Sequence, residues 1–138
     1  MRQQHNIAVI AHDRKKPTLA AFLKEREYAL WGRTIVATGR TAEFLEQEDF
    51  KVPLQHLSQG RSGGYVEITE MINRGEVDMV IFFRDPEVRQ QYHQDILDLL
   101  ESCNVNNLPL ATNPASAELL IIGMIRKELS AKGEQKTA

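Results

Sequence analysis

The chain has 138 residues, 42% hydrophobic and 26% charged, enough to fill the core of one domain and with no compositional sign of disorder. Its 17 Lys and Arg against 19 Asp and Glu leave a formal charge of −2, without the basic excess of a dedicated nucleic-acid domain. No apolar run nears the roughly 20 residues of a membrane span, and a single cysteine, Cys103, excludes a disulfide framework or a cysteine-rich zinc site.

The opening segment, Met1 to His5, lacks the apolar stretch of a signal peptide; with one cysteine, this predicts a cytoplasmic location. Residues 7–11 are nearly continuous apolar and β-branched, as in a strand buried on both faces. The run stops at His12-Asp13. Pro17, with Leu19, Phe22 and Leu23 at helical spacing, predicts a helix. A second strand spans residues 34–38, broken by Gly39 and followed by a short helix over 41–47. Residues 51–57 predict a third strand that runs into the loop 58–64. The next helix carries Val66, Thr69, Met71 and Ile72 on one side, with Gly75 as its C-terminal cap. Residues 79–83 are the strongest strand, ended by Arg84-Asp85-Pro86. A helix with Ile96, Leu99, Leu100 and Cys103 follows, then a short strand over 108–112. Asn113 caps a last helix with Pro114 in first position and Leu119, Ile122 and Ile125 along it. The polar tail 130–138 is predicted to fray.

Five alternations of strand and helix predict an α/β fold: a three-layer sandwich around a central, mostly parallel five-stranded sheet. One domain over 1–138 is expected, with its core at about residues 6–128. Ligands of such sheets bind beyond the carboxyl ends of the strands. The residues there are His12, Asp13 and Lys16; Thr38, Gly39, Arg40 and Thr41; Ser58, Gly60, Arg61, Ser62, Gly63 and Gly64; Asp85; and Thr112, Asn113 and Ser116. Each alone is consistent with a turn, a cap or a solvated charge. Together, hydroxyls, glycines and cations at helix N-termini suit a phosphoryl group. No GxxxxGK[ST] or GxGxxG loop supports a nucleoside triphosphatase or a dinucleotide oxidoreductase.

Ile10-Ala11-His12-Asp13 with Lys15-Lys16, Ala37-Thr38-Gly39-Arg40-Thr41, Gly60-Arg61-Ser62-Gly63-Gly64, Ile81-Phe82-Phe83-Arg84-Asp85-Pro86 and Pro109-Leu110-Ala111-Thr112-Asn113 resemble the methylglyoxal synthases, in family order over about residues 6–125. The resemblance implies conversion of dihydroxyacetone phosphate to methylglyoxal and inorganic phosphate, with no metal or organic cofactor. A carboxylate removes a proton beside the carbonyl, donors including a histidine stabilise the enediolate, and phosphate is eliminated. It matches His12 to the substrate-contacting histidine and Lys16 to the phosphate-contacting lysine. Thr38, Gly39 and Thr41 match the threonine-glycine phosphate loop. Ser58 and Gly60 match the next loop, with Gln59 inserted between them. Asp85 and Asp95 match two acidic residues of the active-site region.

The sequence departs from the family at four positions. Tyr65 follows the glycine pair where the family has its catalytic aspartate, and Tyr92 occupies a family histidine position, with His93 next to it. A tyrosine with a pKa of about 10 needs a shift of ~3 units, or ~4 kcal/mol, to serve as a base at neutral pH, so Asp13, Asp85 and Asp95 are candidate bases beside it, and His93 is a candidate for the displaced histidine. Arg40 and Arg61 replace a threonine and a proline, and favour a more anionic ligand. Two functions are therefore expected: a synthase-type lyase, or a non-catalytic domain of the same fold that binds a phosphorylated metabolite or inorganic phosphate. The resemblance also implies a homo-oligomer, a hexamer; in the sequence itself, apolar residues such as Trp31 and Met124 suit either contacts between copies or the core. Neither nucleic acid nor membrane is an expected partner.

Overall fold

The computed structural model describes residues 6–88 and 94–137; the side chains of Arg61 and of residues 133–137 lie outside the description, as do Tyr92 and His93. Strands β1 (Asn6–Ala11), β2 (Thr34–Ala37), β3 (Leu54–His56), β4 (Met79–Phe83) and β5 (Leu110–Ala111) form one sheet in the order β3-β2-β1-β4-β5. Every pairing is parallel, so the sheet expected to be mostly parallel is parallel throughout. Helices α1 (Lys16–Lys24), α2 (Glu27–Leu30), α3 (Gly39–Gln47), α4 (Gly64–Asn73), α5 (Gln94–Val105) and α6 (Pro114–Thr137) cover it.

Alternation along β1 divides the core into two. Ile7, Val9 and Ala11 join one cluster with Leu19, Leu23, Leu45 and Ile121, from α1, α3 and α6. Ala8 and Ile10 join the other with Ile68, Ile72, Leu99 and Cys103, from α4 and α5. The result is three layers, because successive strand side chains point to opposite faces and both faces must be covered. Each fully buried Ile or Leu contributes roughly 1.5–3 kcal/mol, so the middle layer is where stability concentrates.

The elements differ from expectation at their margins. The outer strands are short: β3 is confined to its register with β2, and β5 to two pairs with β4. Helix α3 begins at Gly39, and α2 is a turn that the pattern did not signal. Helix α4 buries Tyr65, Ile68, Met71 and Ile72 while Val66 is exposed. Helix α6 buries Ala117 and Ile121 and exposes Leu119 and Ile122. A helix with apolar residues on several sides does not reveal from sequence which stripe meets the sheet; the small Ala117 lies on the side that approaches closely. The same helix continues through the segment expected to fray, which is rich in Ala, Lys, Glu and Gln, good helix formers.

Candidate active site

Chain connections run outward from β1 to β2 and β3, then cross back to β4 on the other side of β1. Such a switch opens a crevice at the carboxyl ends of neighbouring strands. A cavity of about 580 Å³ lies there, lined by residues that follow β1 (His12, Asp13, Arg14, Lys16), β2 (Thr38, Arg40), β3 (Gln59, Gly60) and β4 (Asp85, Val88), with Tyr65 from α4 and Ile96 from α5. Ile10 and Ala11 form its floor at the end of β1.

His12 extends β1 by one bond, its amide donating to the Phe83 carbonyl at 3.2 Å. Its ring meets Phe82 edge-on, with centroids 5.3 Å apart. The Asp85 amide donates to His12 Nδ1 at 2.8 Å, so in the neutral ring the proton is on Nε2. Burial holds the imidazole below its ordinary pKa, assisted by the positive charges of Arg84 and Lys16. His12 is thus a neutral ring with one N–H to donate.

Lys16 is deeply placed, its side chain 11% exposed. Nζ donates to the Ala11 carbonyl at 2.7 Å and to Asp13 Oδ1 at 2.9 Å. That hydrogen bond, with the charge behind it, holds the Asp13 carboxyl below the usual carboxylate value. Asp13 Oδ2 lies 3.8 Å from Arg40 Nη1, so one carboxylate serves two cations. Across the mouth, Arg14 pairs with Asp85, Nε to Oδ2 at 3.1 Å, and with Glu87.

Asp85 is 1% exposed. Its Oδ1 accepts the Glu87 amide at 2.9 Å, whereas Oδ2 accepts no hydrogen bond among the described residues, the Arg14 contact being off-angle. Thr38 precedes the first residue of α3, yet its hydroxyl does not cap the helix; it donates to Thr41 Oγ1 at 3.3 Å. Thr41 Oγ1 also accepts the Ala11 amide at 3.4 Å, which ties α3 to β1. The amides of Arg40 and Thr41 are left without a side-chain cap at a positive helix end.

The glycines of the 58–64 loop are there for space. A Cβ on Gly64 would sit 2.3 Å from the Ser58 carbonyl oxygen, and Gly63 has φ +118°. A Cβ on Gly60 would sit 2.5 Å from Cζ of Tyr65, whose ring stacks on Phe82 with centroids 6.0 Å apart. The distal end of Tyr65 is therefore held against the Gly60 backbone, in the cavity wall.

Of the residues anticipated from sequence, His12, Lys16, Thr38, Arg40, Gly60, Tyr65 and Asp85 line one cavity. Gly39, Thr41 and Ser58 stand behind it: the Gly39 amide donates to the Ser58 carbonyl at 3.0 Å, joining the two loops, while the Ser58 side chain is on the outside. Asp95 lies in the first turn of α5 and is not among the lining residues, because the helical step turns its neighbour Ile96 to the cavity instead. Tyr92 and His93 lie outside the described residues, and the backbone of Arg61 belongs to the 3-10 turn over Gly60–Ser62. Arg14 was not anticipated; its partners are more than 70 residues away, so no local pattern marks it.

Sheet order and crevice define a candidate ligand site at the strand ends of a doubly covered parallel sheet. The profile of the MGS-like domain matches residues 19–112, and the chain belongs to that family. It is 42% identical to the methylglyoxal synthase of Caldicellulosiruptor saccharolyticus over 125 residues, which are 91% of this chain and 88% of that one. It is 44% identical to the methylglyoxal synthase of Acholeplasma laidlawii over 116 residues, 83% and 93% of the two chains. The crystal structure of methylglyoxal synthase from Elizabethkingia anophelis matches with a TM-score of 0.79 and 31% identity, covering 88% of this chain and 79% of that one.

Proposed function

We propose that the chain is a methylglyoxal synthase-type lyase, converting dihydroxyacetone phosphate to methylglyoxal and inorganic phosphate as a single-domain cytoplasmic homo-oligomer, a hexamer by family resemblance. Lys16, Thr38 and the first turn of α3 hold the phosphoryl group. Asp85, through Oδ2, takes a proton from the hydroxymethyl carbon, on the side of the carbonyl away from the phosphate ester. His12 donates Nε2–H to the carbonyl oxygen as it gains charge. The hydroxyl oxygen of the enediolate then becomes the aldehyde, its proton passing to the phosphate, as the double bond moves to the methylene carbon and the carbon–oxygen bond to phosphate breaks. The released enolate takes a proton at that methylene carbon to give methylglyoxal, and Lys16 holds the leaving hydrogen phosphate. Tyr65, at the wall beside Gly60, is a hydroxyl donor to substrate in this reading. His93 and Asp95 have no assigned step.

The observation that carries this reading is the neutral histidine. Its Nδ1 is taken by the amide of a buried aspartate in the same cavity, which leaves the ring a donor at neutral pH. Purified protein incubated with dihydroxyacetone phosphate should release methylglyoxal and phosphate in equal amounts. No release above a heat-killed control would sink the enzyme reading.

Tyr65 favours a second reading, binding without turnover, because a phenol replaces the base that the family pattern puts after the glycine pair. Under it, phosphate and sugar phosphates raise the melting temperature while no methylglyoxal forms.

A further inference from the structure

We propose that Glu67, which stands outside the cavity, is a positioning residue for the phosphoryl group: its carboxylate holds the loop after β3 against the start of α3. The inference rests on the phosphate-site reading above but not on turnover. Glu67 Oε1 accepts the Ser58 amide at 2.8 Å, from nine positions further along the chain. The Ser58 carbonyl in turn accepts the Gly39 amide at 3.0 Å, and Gly39 is the first residue of α3. Both polar groups of the Ser58 main chain are thereby engaged, one by a side chain of α4 and one by the turn that presents the Arg40 and Thr41 amides.

Glu67 is anchored by its own helix. Its neighbour Ile68 is fully buried, and its amide donates to the Gly63 carbonyl at 2.9 Å. Helix α4 also begins close to both loops: a Cβ on Gly64 would sit 2.3 Å from the Ser58 carbonyl oxygen and 2.9 Å from Thr38 Cγ2. Further along, the loop is held by its own backbone, the Gln59 carbonyl accepting the amides of Ser62 and Gly64 at 2.9 Å. Of these bonds only that to Glu67 ends on a side chain, so it is the one that a substitution removes. A carboxylate acceptor strengthens it, and negative charge is favourable in the first turns of α4. Gln59 and Gly60, which follow the clamped residue, line the cavity, whereas Glu67 does not. Without the bond, Ser58 is released on one side, and the wall at Gly60 and the turn at Gly39 lose their mutual register. His12 and Asp85 follow other strands, β1 and β4, and keep theirs.

The test is calorimetric titration of the whole protein with inorganic phosphate, for the wild type, Glu67→Gln and Glu67→Ala. Glu67→Ala should weaken phosphate binding roughly five- to tenfold, the size of one lost hydrogen bond. Glu67→Gln, whose amide oxygen still accepts, should weaken it about twofold or less. With dihydroxyacetone phosphate, Glu67→Ala should raise KM by a similar factor while kcat stays within about twofold. Wild-type affinity in a folded Glu67→Ala protein, equal losses in the two variants, or a fall in kcat with KM unchanged overturns the proposal and leaves the phosphate site intact. Failure of phosphate to bind the wild type overturns the phosphate site and this proposal together. The phosphate titration decides the matter whether or not the wild type turns over substrate. Alanine is a good helix former, and a melting curve for each variant shows that it is folded. Glu67→Asp, one methylene shorter, should repeat the loss of affinity and serves should Glu67→Ala not fold.

Discussion

The main-chain amide of Asp85 donates to Nδ1 of His12 across two strand ends, 2.8 Å apart and 73 positions apart in sequence. A backbone donor cannot titrate or rotate away, so it fixes the tautomer more firmly than a side chain could. It also ties the proposed electrophile to the residue that carries the proposed base. Any shift of the loop after β4 moves both.

Protonation of His12 requires Nδ1 to become a donor while facing a donor, in addition to the burial that already lowers its pKa. The sign follows. Between the depressed native value and the ordinary imidazole value of 6.5, the unfolded chain holds a proton at this position that the native chain does not. Stability is therefore complete above the ordinary value and falls as pH drops below it. Urea denaturation at about pH 7.5 and about pH 5.5 should show this loss in the wild type and a smaller one in His12→Gln. In the synthase assay, His12→Ala should lower kcat by roughly 10²–10³, the effect of removing one oxyanion donor.

Gly60 and Tyr65 form a steric pair. A methyl group at position 60 would overlap the distal ring carbons of Tyr65, at 2.5 to 2.9 Å, and the ring is stacked on Phe82 behind. Gly60→Ala should therefore cost about 1–3 kcal/mol, the usual range for overpacking. In a Tyr65→Ala background the same change should cost under about 0.5 kcal/mol, a non-additivity expected only of residues in contact. Chemical denaturation of the four proteins in the cycle gives the coupling directly.

How much of this was legible follows from where each signal resides. Residues 7–11, 35–37 and 79–83 are buried on both faces, so the apolar runs mark them whatever the rest of the chain does, and His12 and Thr38 follow as the next residues, with Asp85 two places past the last. Asn113 could be read as a cap because its Oδ1 accepts the Ser116 amide three positions on, a local interaction. Arg14 could not, since its partners belong to a different loop. Nor could the buried stripe of α6, because Leu119, Ile121 and Ile122 are equally apolar and the position of the sheet alone decides among them. Spacing in one segment carries elements; pairing between segments carries the site.

Tyr65 and the aspartate that the family resemblance implies at its position make different demands on one site. The phenol is buried among Phe82, Ile68 and Gly60, where its apolar ring is stabilised by contact. Tyr65→Asp places a short carboxylate in that wall and empties the space of the ring, so it should lower stability by roughly 2–4 kcal/mol. It should nonetheless raise methylglyoxal production above wild type if the cavity otherwise suits the reaction. Equal or lower production by a folded Tyr65→Asp protein would show that the tyrosine is no impediment to the chemistry.

Asp13 tests whether the cations of the wall are held in reserve for a ligand. Its carboxylate sits on Lys16 and near Arg40, the groups that would receive a phosphoryl oxygen, so an incoming anion competes with it for both. Asp13→Asn removes that competition. Lys16 should not wander, because its second bond, to the Ala11 carbonyl at 2.7 Å, does not involve Asp13. Binding of inorganic phosphate should then tighten by roughly three- to tenfold, with a steeper dependence on salt, since a larger unmatched positive charge meets the ligand. If Asp13 instead serves mainly to orient Lys16, the same variant weakens phosphate binding, and titration at two ionic strengths separates the outcomes.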